Sequence, residues 1–563
     1  MAQRGVRGSL LLSGGLAGVA AVVLGAGVGE LTAAAVAPAS SPFSVVGGVL
    51  IDLAPPWAKN TAIALFGTND KIALLVGIAL VLLVAAVGVG VLEVRRAWWG
   101  AAVCAVLGAG VAVLAMTRAD AVAMSWLPSL LAGLVAAGAL RYLGGLARAR
   151  TDAAPAAARE VATVAAGAGA AGGAAGVATT SQTTATPDRR AVHASDDPAV
   201  RDEAARTDVS RRRFLVWTGT AAAVGVLAAL AGTALQAGAR TVSTIRAALR
   251  LPAAAVSAPA VGAGAESGIP ALAPLVTPND VFYRIDTALV VPQIDPATWS
   301  LRIHGLVEEE VVITWDELLA LPLEESWTTL VCVSNPVGGD LIGNAKWLGY
   351  PLRELLARAR PTSDADMVLS RSIDGFSAST PLEVLTDDRN AILAVGMNDE
   401  PLPVEHGFPV RMVVPGLYGY VSATKWVTEL EVTRFDAATA YWTDRGWSER
   451  GPVKLQSRID VPVRNQGLSP GETVIAGVAW QQHVGVAGVE VQVDGGAWRK
   501  AEIVGAITDD TWVQWSIPWT AEAGSHEIRC RATNVLGETQ TEVDAWPEPD
   551  GATGWQQLNV DVA

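Results

Sequence analysis

Residues Leu330 to Trp347 read LVCVSNPVGGDLIGNAKW, and the rest of the chain is organised around them. Short apolar runs flank Cys332, one of three cysteines in 563 residues, and Gly338, Gly339 and Gly343 loosen the backbone after it. A strand end that hands over to a glycine-rich loop is expected here. A single thiol so placed is a soft metal ligand, a nucleophile or a buried structural cysteine. Its neighbours in the chain choose among these. Cys104 falls in an apolar span and Cys530 on the apolar face of a strand, so no disulfide framework is expected.

The composition points to a membrane protein carrying a soluble part. The chain is 51% hydrophobic with 57 glycines, and its mean hydropathy is positive. It is too long for one ordinary domain. A net charge of −14 argues against nucleic acid, which needs a basic surface.

Five apolar stretches of about 20 residues read as spans: 8–29, 72–92, 98–116, 121–143 and 214–236. Residues 43–66 are apolar but broken by Asp52, Pro55, Pro56 and Lys59, and read as an interfacial or re-entrant segment. Arg4 and Arg7 precede the first span. Arg95 and Arg96 lie between the second and third, beside Trp98 and Trp99, and Arg141, Arg148 and Arg150 follow the fourth. With five spans these arginines share one side, and the positive-inside rule makes it the cytoplasm. The expected order is four spans in 1–150, a disordered cytoplasmic linker at 151–212 with little to bury, and a fifth span at 213–237. That span opens with Ser210-Arg211-Arg212-Arg213-Phe214-Leu215, which resembles a twin-arginine export signal placed internally; an ordinary positive flank is the other reading. Either way the chain is a multi-pass protein of the cell membrane with its C-terminal part outside the cytoplasm. All five histidines lie outside the spans, so no membrane haem held by two histidines is expected. No span interior carries the charged groups of a transport path. The membrane part reads as an anchor, or as a docking surface for a quinone or a redox protein.

After a Pro-, Ala- and Gly-rich tether at 238–274, residues 275–440 read as an α+β domain. Trp299 to His304 alternates as a strand. Thr314 to Glu317 has capping-box spacing ahead of a short helix, and Pro351 opens another. Strand-like runs follow at 329–333, 367–370, 391–396 and 409–414. Residues 441–563 read as an all-β sandwich of immunoglobulin type. Val489, Val491 and Val493 alternate with polar residues, Asp494-Gly495 makes a hairpin turn, and Val513, Trp515 and Ile517 alternate in their turn. His483 and His526 are expected on its surface.

Four clusters of the α+β domain carry chemistry: Asn279 to Asp286, the stretch around Cys332, Ser372 to Ser377, and the run from Glu405-His406-Gly407-Phe408-Pro409-Val410-Arg411 through Pro415-Gly416 to Ser422-Ala423-Thr424-Lys425-Trp426. Together and in this order they resemble the sulfite oxidase family, over about residues 275–563. The resemblance implies a multidomain oxidoreductase: an all-α five-span membrane region, an α+β sulfite-oxidase-type molybdopterin domain and an all-β immunoglobulin-like dimerisation domain. The implied cofactor is molybdenum held by one molybdopterin. Cys332 then supplies the one protein thiolate, which suits a soft, redox-active metal. Arg411 and His406 hold the pterin or its phosphate, Lys425, Ala423 and Thr424 close the site, and Asp374 is the acidic pterin contact. Phe282, Tyr283 and Arg284 touch the cofactor from the N-terminal end of the domain, Arg284 also at the catalytic centre, and Asn344 is a further contact.

The implied reaction is a two-electron change at molybdenum coupled to oxygen-atom transfer on a small-molecule substrate. Sulfite wants cations, yet Ser334-Asn335-Pro336 and Asp340 follow the cysteine where sulfite enzymes have arginines, and Trp447 stands where they have a tyrosine. Sulfite and a neutral sulfoxide-like compound both remain candidate substrates. A homodimer is one expected assembly. The rival reading is a membrane transporter or receptor whose soluble half is an inactive binding module. The set Cys332, Asp374, His406, Arg411 and Lys425 favours the enzyme.

Overall fold

Five helical stretches are long and apolar enough to cross a membrane: Leu10–Val36, Ala73–Arg95, Trp99–Met116, Leu127–Ala149 and Arg212–Thr233. They belong to a computed structural model that describes residues 2–55, 58, 61, 65, 70–118, 121–170, 198–236, 240–262, 264–464, 467–504 and 506–563. The chain forms two units, 1–49 with 72–238 and 50–71 with 239–563.

In the first unit the spans lie in helices α1 (Ala2–Val36), α3 (Asp70–Arg95), α4 (Trp99–Met116), α5 (Leu127–Ala170) and α6 (Pro198–Gln236). Small residues let these backbones approach closely. A Cβ on Gly18 of α1 would collide with the Ala86 carbonyl of α3. The fourth span starts later than expected, because residues 121–126 form turns before Pro128 opens the helix. Helix α2, Pro42–Leu53, is apolar but too short to cross. The remainder of the broken 43–66 stretch lies mostly outside the described residues.

Two expectations need correction. The linker is not wholly irregular, since α5 runs on to Ala170 and α6 begins at Pro198. Alanine-rich sequence after residue 150 favours helix by propensity. Residues 171–197 lie outside the described residues. The spans also carry a paired charge. Glu93 is fully buried near the end of α3, 2.9 Å from Arg141 and 3.4 Å from Arg148. It accepts from Trp98 N at 3.1 Å and Ala101 N at 3.2 Å, so it caps the first turn of α4.

In the second unit, the part from residue 239 onward starts with helix α7 (Arg240–Ala248). One mixed sheet has the order β2 (Val311–Thr314), β1 (Ser300–Gly305), β10 (Val427–Thr433), β5 (Met367–Ser372), β6 (Ser377–Pro381), with β1 and β10 parallel. Another runs β3 (Glu324–Val331), β4 (Ile342–Pro351), β7 (Ile392–Met397), β8 (Glu400–Pro401), and β9 (Arg411–Val413) also pairs with β7. Helices α8 (Trp315–Leu319), α9 (Leu352–Ala359) and α10 (Leu382–Thr386) connect strands. Thr314 and Glu317 form the expected capping box. Leu301, Ile303, Leu318, Leu355, Leu393, Met412 and Leu430 share one core, all fully buried.

The C-terminal part has two four-stranded sheets. One is β11 (Gln456–Val461), β12 (Gly471–Trp480), β16 (Val513–Ala521), β15 (Glu502–Val504). The other is β14 (Arg499–Lys500), β13 (Val486–Val493), β17 (Gly524–Asn534), β18 (Gln557–Val562). Val489, Val491, Ile528 and Cys530 of one meet Ile475, Val513 and Trp515 of the other in a common core. The hairpin after β13 turns at Asp494 and Gly495, both with positive φ, which suits a two-residue type I′ turn.

Candidate active site

Strands β3 and β4 form an antiparallel hairpin closed by the loop 332–341, whose register pairs Val331 with Ile342. Cys332 is the first residue beyond β3 and lies at the wall of a cavity of about 900 Å³, counted with the space open to solvent. Its amide donates to Leu341 O at 3.0 Å, so the ladder holds the thiol at its end. All three cysteines are free. Burial pushes the Cys332 thiol up, with a smaller opposing effect from Ser334. Proton loss from a thiol buried this way needs a cation or metal in the cavity.

The other walls come from distant parts of the chain. The segment before β1 contributes Phe282, Tyr283 and Asp286; the β5–β6 turn contributes Asp374 and Phe376; residues 404–426, leading up to β10, contribute His406, Arg411, Ala423 and Lys425. Phe282 stacks on Tyr283 at 5.3 Å and meets the rings of Trp347 and His406 edge-on. These contacts fix two aromatic faces beside the thiol.

Arg411 is 5% exposed. Its Nη1 donates to His406 O at 3.1 Å, its Nε to Met412 O at 3.4 Å, and its guanidinium lies 5.1 Å from the Trp347 ring centre. Among the described residues none is an acid paired with it. Burial lowers its pKa to about 10, so it stays charged at neutral pH. A buried cation without an anion costs several kcal/mol, on the order of a whole interaction network. Lys425 is held differently, with Nζ 2.5 Å from Asp286 Oδ2 and 3.1 Å from Glu405 O. Burial nevertheless lowers its pKa to about 8, against the pull of Asp286. Asp286 also accepts from Arg284 Nε at 2.9 Å.

His406 places Nε2 3.1 Å from Asn279 O, and a carbonyl partner requires Nε2 to carry the hydrogen. Burial, then Arg411 and Lys425, push its pKa down to about 3, so the ring is neutral and Nδ1 is an acceptor. Burial raises Asp374 toward the neutral acid, against its bonds from Ser372 and Phe376 N. The cavity therefore offers a thiol, two buried cations and a weakened acid.

Of the residues singled out in the sequence, Cys332, Phe282, Tyr283, Asp374, His406, Arg411, Ala423 and Lys425 line this cavity. Three sit elsewhere. Arg284 is not among the lining residues; its guanidinium pairs with Asp286 at 2.9 Å. Asn344 is opposite Thr329 in the β3–β4 ladder, its Oδ1 accepting from Thr329 Oγ1 and its Nδ2 donating to Leu275 O. Thr424 is fully buried with its hydroxyl 2.7 Å from Ser370 Oγ. Asp286 had no role in the sequence reading. Its position two residues after Arg284 was the one available signal, and that pattern is shared by many surface pairs. Four further aromatic side chains line the cavity: Phe376, Tyr420, Trp442 and Trp447.

A molybdenum pterin fits this donor set. Among the described residues no cluster of three or more His, Cys, Asp or Glu is placed to hold a metal, and a pterin brings metal ligands of its own. Arg411 is a buried cation awaiting an anion.

Comparison with known proteins agrees. The family model for an oxidoreductase molybdopterin-binding domain matches residues 288–442. The mitochondrial sulfite oxidase of Rattus norvegicus is 30% identical over 308 residues, covering 46% of this chain and 56% of the relative. The uncharacterized oxidoreductase YuiH of Bacillus subtilis (strain 168) is 30% identical over 157 residues, covering 28% of this chain and 76% of the relative. Among solved structures, the sulfane dehydrogenase SoxCD from Paracoccus pantotrophus aligns with a TM-score of 0.44 at 24% identity, over 51% of this chain and 84% of that one. The chain spans 56% of the rat sulfite oxidase and 66% of the Gallus gallus one.

Proposed function

The chain belongs to the sulfite oxidase family of molybdopterin-binding oxidoreductases, and from that premise we propose a membrane-anchored enzyme, working outside the cytoplasm, that transfers an oxygen atom to or from a small substrate at a molybdenum ligated by Cys332. The observation that carries the proposal is the buried, acid-free Arg411 in one cavity with a free thiol. When bound, the cofactor supplies the two-electron change and the site of oxygen transfer.

The chain's own residues bind and orient. Arg411 and Lys425 answer a phosphate, which a guanidinium fork and an ammonium both suit. Asp286 and the Glu405 carbonyl keep the Lys425 ammonium in place. His406 presents its Nδ1 as an acceptor to the pterin's donors. Asp374, on the β5–β6 turn at the cavity wall, is the acidic contact for the pterin.

The aromatic lining of Phe376, Tyr420, Trp442 and Trp447 favours an uncharged substrate with an apolar flank, such as a sulfoxide. Sulfite is the second reading, supported by the sulfite oxidases among the relatives. The two separate in a dye-linked assay of the full chain matured in a host that makes the pterin. The expected result is a higher kcat/KM for methyl phenyl sulfoxide than for sulfite, unchanged between low and high salt. A preference for sulfite that weakens as salt rises would reverse the assignment.

The remaining parts of the proposal concern organisation. Residues 275–440 are the cofactor domain and 441–563 an immunoglobulin-like sandwich, which suits a homodimer. The Ser210–Leu215 segment directs twin-arginine export of the already folded, cofactor-loaded domain. Electrons pass to or from a quinone or a redox protein.

A further inference from the structure

The loop that carries Cys332 is held at its base by its own bonds. Asn335 N donates to Cys332 O at 3.0 Å, and Leu341 N to Asn335 Oδ1 at 2.9 Å. Its tip is held by a different domain. Arg458 of β11 donates from Nη1 to Gly339 O at 2.9 Å. Asp460 fixes that guanidinium, with Nε to Oδ1 at 2.6 Å and Nη2 to Oδ2 at 3.3 Å. Both side chains are about nine-tenths buried, at 11% and 10% exposure. Gln556 packs on Gly338, where any Cβ would come within 2.7 Å of it. Gly338 has φ +75°, so this turn admits glycine and little else.

The strand leading into Cys332 is clamped from the same side. Thr329 donates N–H to Asp510 O at 3.0 Å and accepts from Trp512 N on its hydroxyl at 2.9 Å. Its carbonyl accepts from Gln482 Nε2 at 3.0 Å. Cys332 therefore lies between two anchor points, three residues after one and seven before the other, and both are held by the C-terminal part, by the connections beside β12 and β16 and by β11. A module that served only to pair two chains needs no buried polar contacts to this loop.

We propose that the C-terminal domain sets the position of the Cys332 thiol, and that Arg458 is the positioning residue, acting through Gly339. Asp460 neutralises Arg458, so its effect is geometric more than electrostatic. The proposal rests on Cys332 as the molybdenum ligand.

The test uses the full-length holoenzyme with Arg458→Met, Arg458→Lys and Asp460→Asn. Molybdenum content, the electron paramagnetic resonance spectrum of the half-reduced metal, kcat and KM are read on each. Arg458→Met is expected to broaden or split the resonance and lower kcat by about tenfold or more, as displacement of a reacting group does, with KM within about twofold. Arg458→Lys, which still donates to Gly339 O, should recover part of the wild-type spectrum, and Asp460→Asn should give a smaller change of the same kind. Metal-loaded Arg458→Met with the wild-type spectrum and kcat would overturn the proposal, and so would the same outcome in Asp460→Asn if Arg458→Met failed to fold. A Cys332→Ser chain that kept its metal and spectrum would overturn the reading beneath it, and this proposal with it.

Discussion

Lys425 Nζ lies 2.5 Å from Asp286 Oδ2, with both side chains buried. Asp286 is also the partner of Arg284, so one carboxylate of the cavity wall holds two cations. Removing one member of a buried pair leaves an uncompensated charge. Asp286→Asn is expected to destabilise the cofactor-free chain by about 3 kcal/mol, read from thermal unfolding. A change within about 0.5 kcal/mol, the range of an ordinary surface substitution, would mean the pair contributes little.

Arg411 sets up the opposite sign. Nothing acidic among the described residues compensates it, so its charge opposes folding until an anion binds. Arg411→Met keeps the bulk and removes the charge. It is expected to stabilise the cofactor-free chain, by about 1–4 kcal/mol if it behaves as buried ionic groups replaced by apolar ones do, and to lose molybdenum. Unfolding and metal analysis of the same preparation check both halves. A destabilised variant that still bound metal would contradict the assignment.

His406 makes stability depend on pH. Its folded pKa of about 3 lies below the ordinary 6.5, so between these values the unfolded chain binds a proton that the folded chain does not. Stability contributed by the neutral ring is complete above about pH 6.5 and is lost as the pH falls toward 3, by on the order of 5 kcal/mol at most. His406→Gln should flatten this slope in acid unfolding of the cofactor-free chain. An equal slope in both would assign the acid sensitivity to other groups.

Export gives a test independent of the cofactor. With a reporter fused after Arg250, activity outside the cytoplasm should require Arg211 and Arg212. Export that survived replacement of both by lysine would leave Ser210–Leu215 as an ordinary positive flank.

Much of the site is written in residue types and their order. Cys332, His406, Arg411 and Lys425 each have one side-chain chemistry to offer, and they meet in one cavity. Strand periods and turn pairs also read directly, as at Val489, Val491 and Asp494-Gly495. What the sequence leaves unread depends on register or on side-chain partners. Asn344 looks like a free amide until β3 lies opposite it and Thr329 takes its oxygen. Arg284 looks available until Asp286 is seen to bind it. The extended ends of α5 and α6 lie in alanine-rich sequence, where helix propensity carries the helix past the apolar span and no apolar pattern in the sequence marks the boundary.

The central claim is that this cavity holds molybdenum through Cys332. The most direct measurement is metal analysis of the purified full-length chain and of Cys332→Ser, both matured in a host that makes the pterin. The expected result is about one molybdenum per wild-type chain, and in Cys332→Ser either lost metal or a metal whose resonance lacks the thiolate's influence, with turnover abolished. A wild-type chain free of molybdenum, or a Cys332→Ser variant with unchanged metal, spectrum and activity, would contradict the claim.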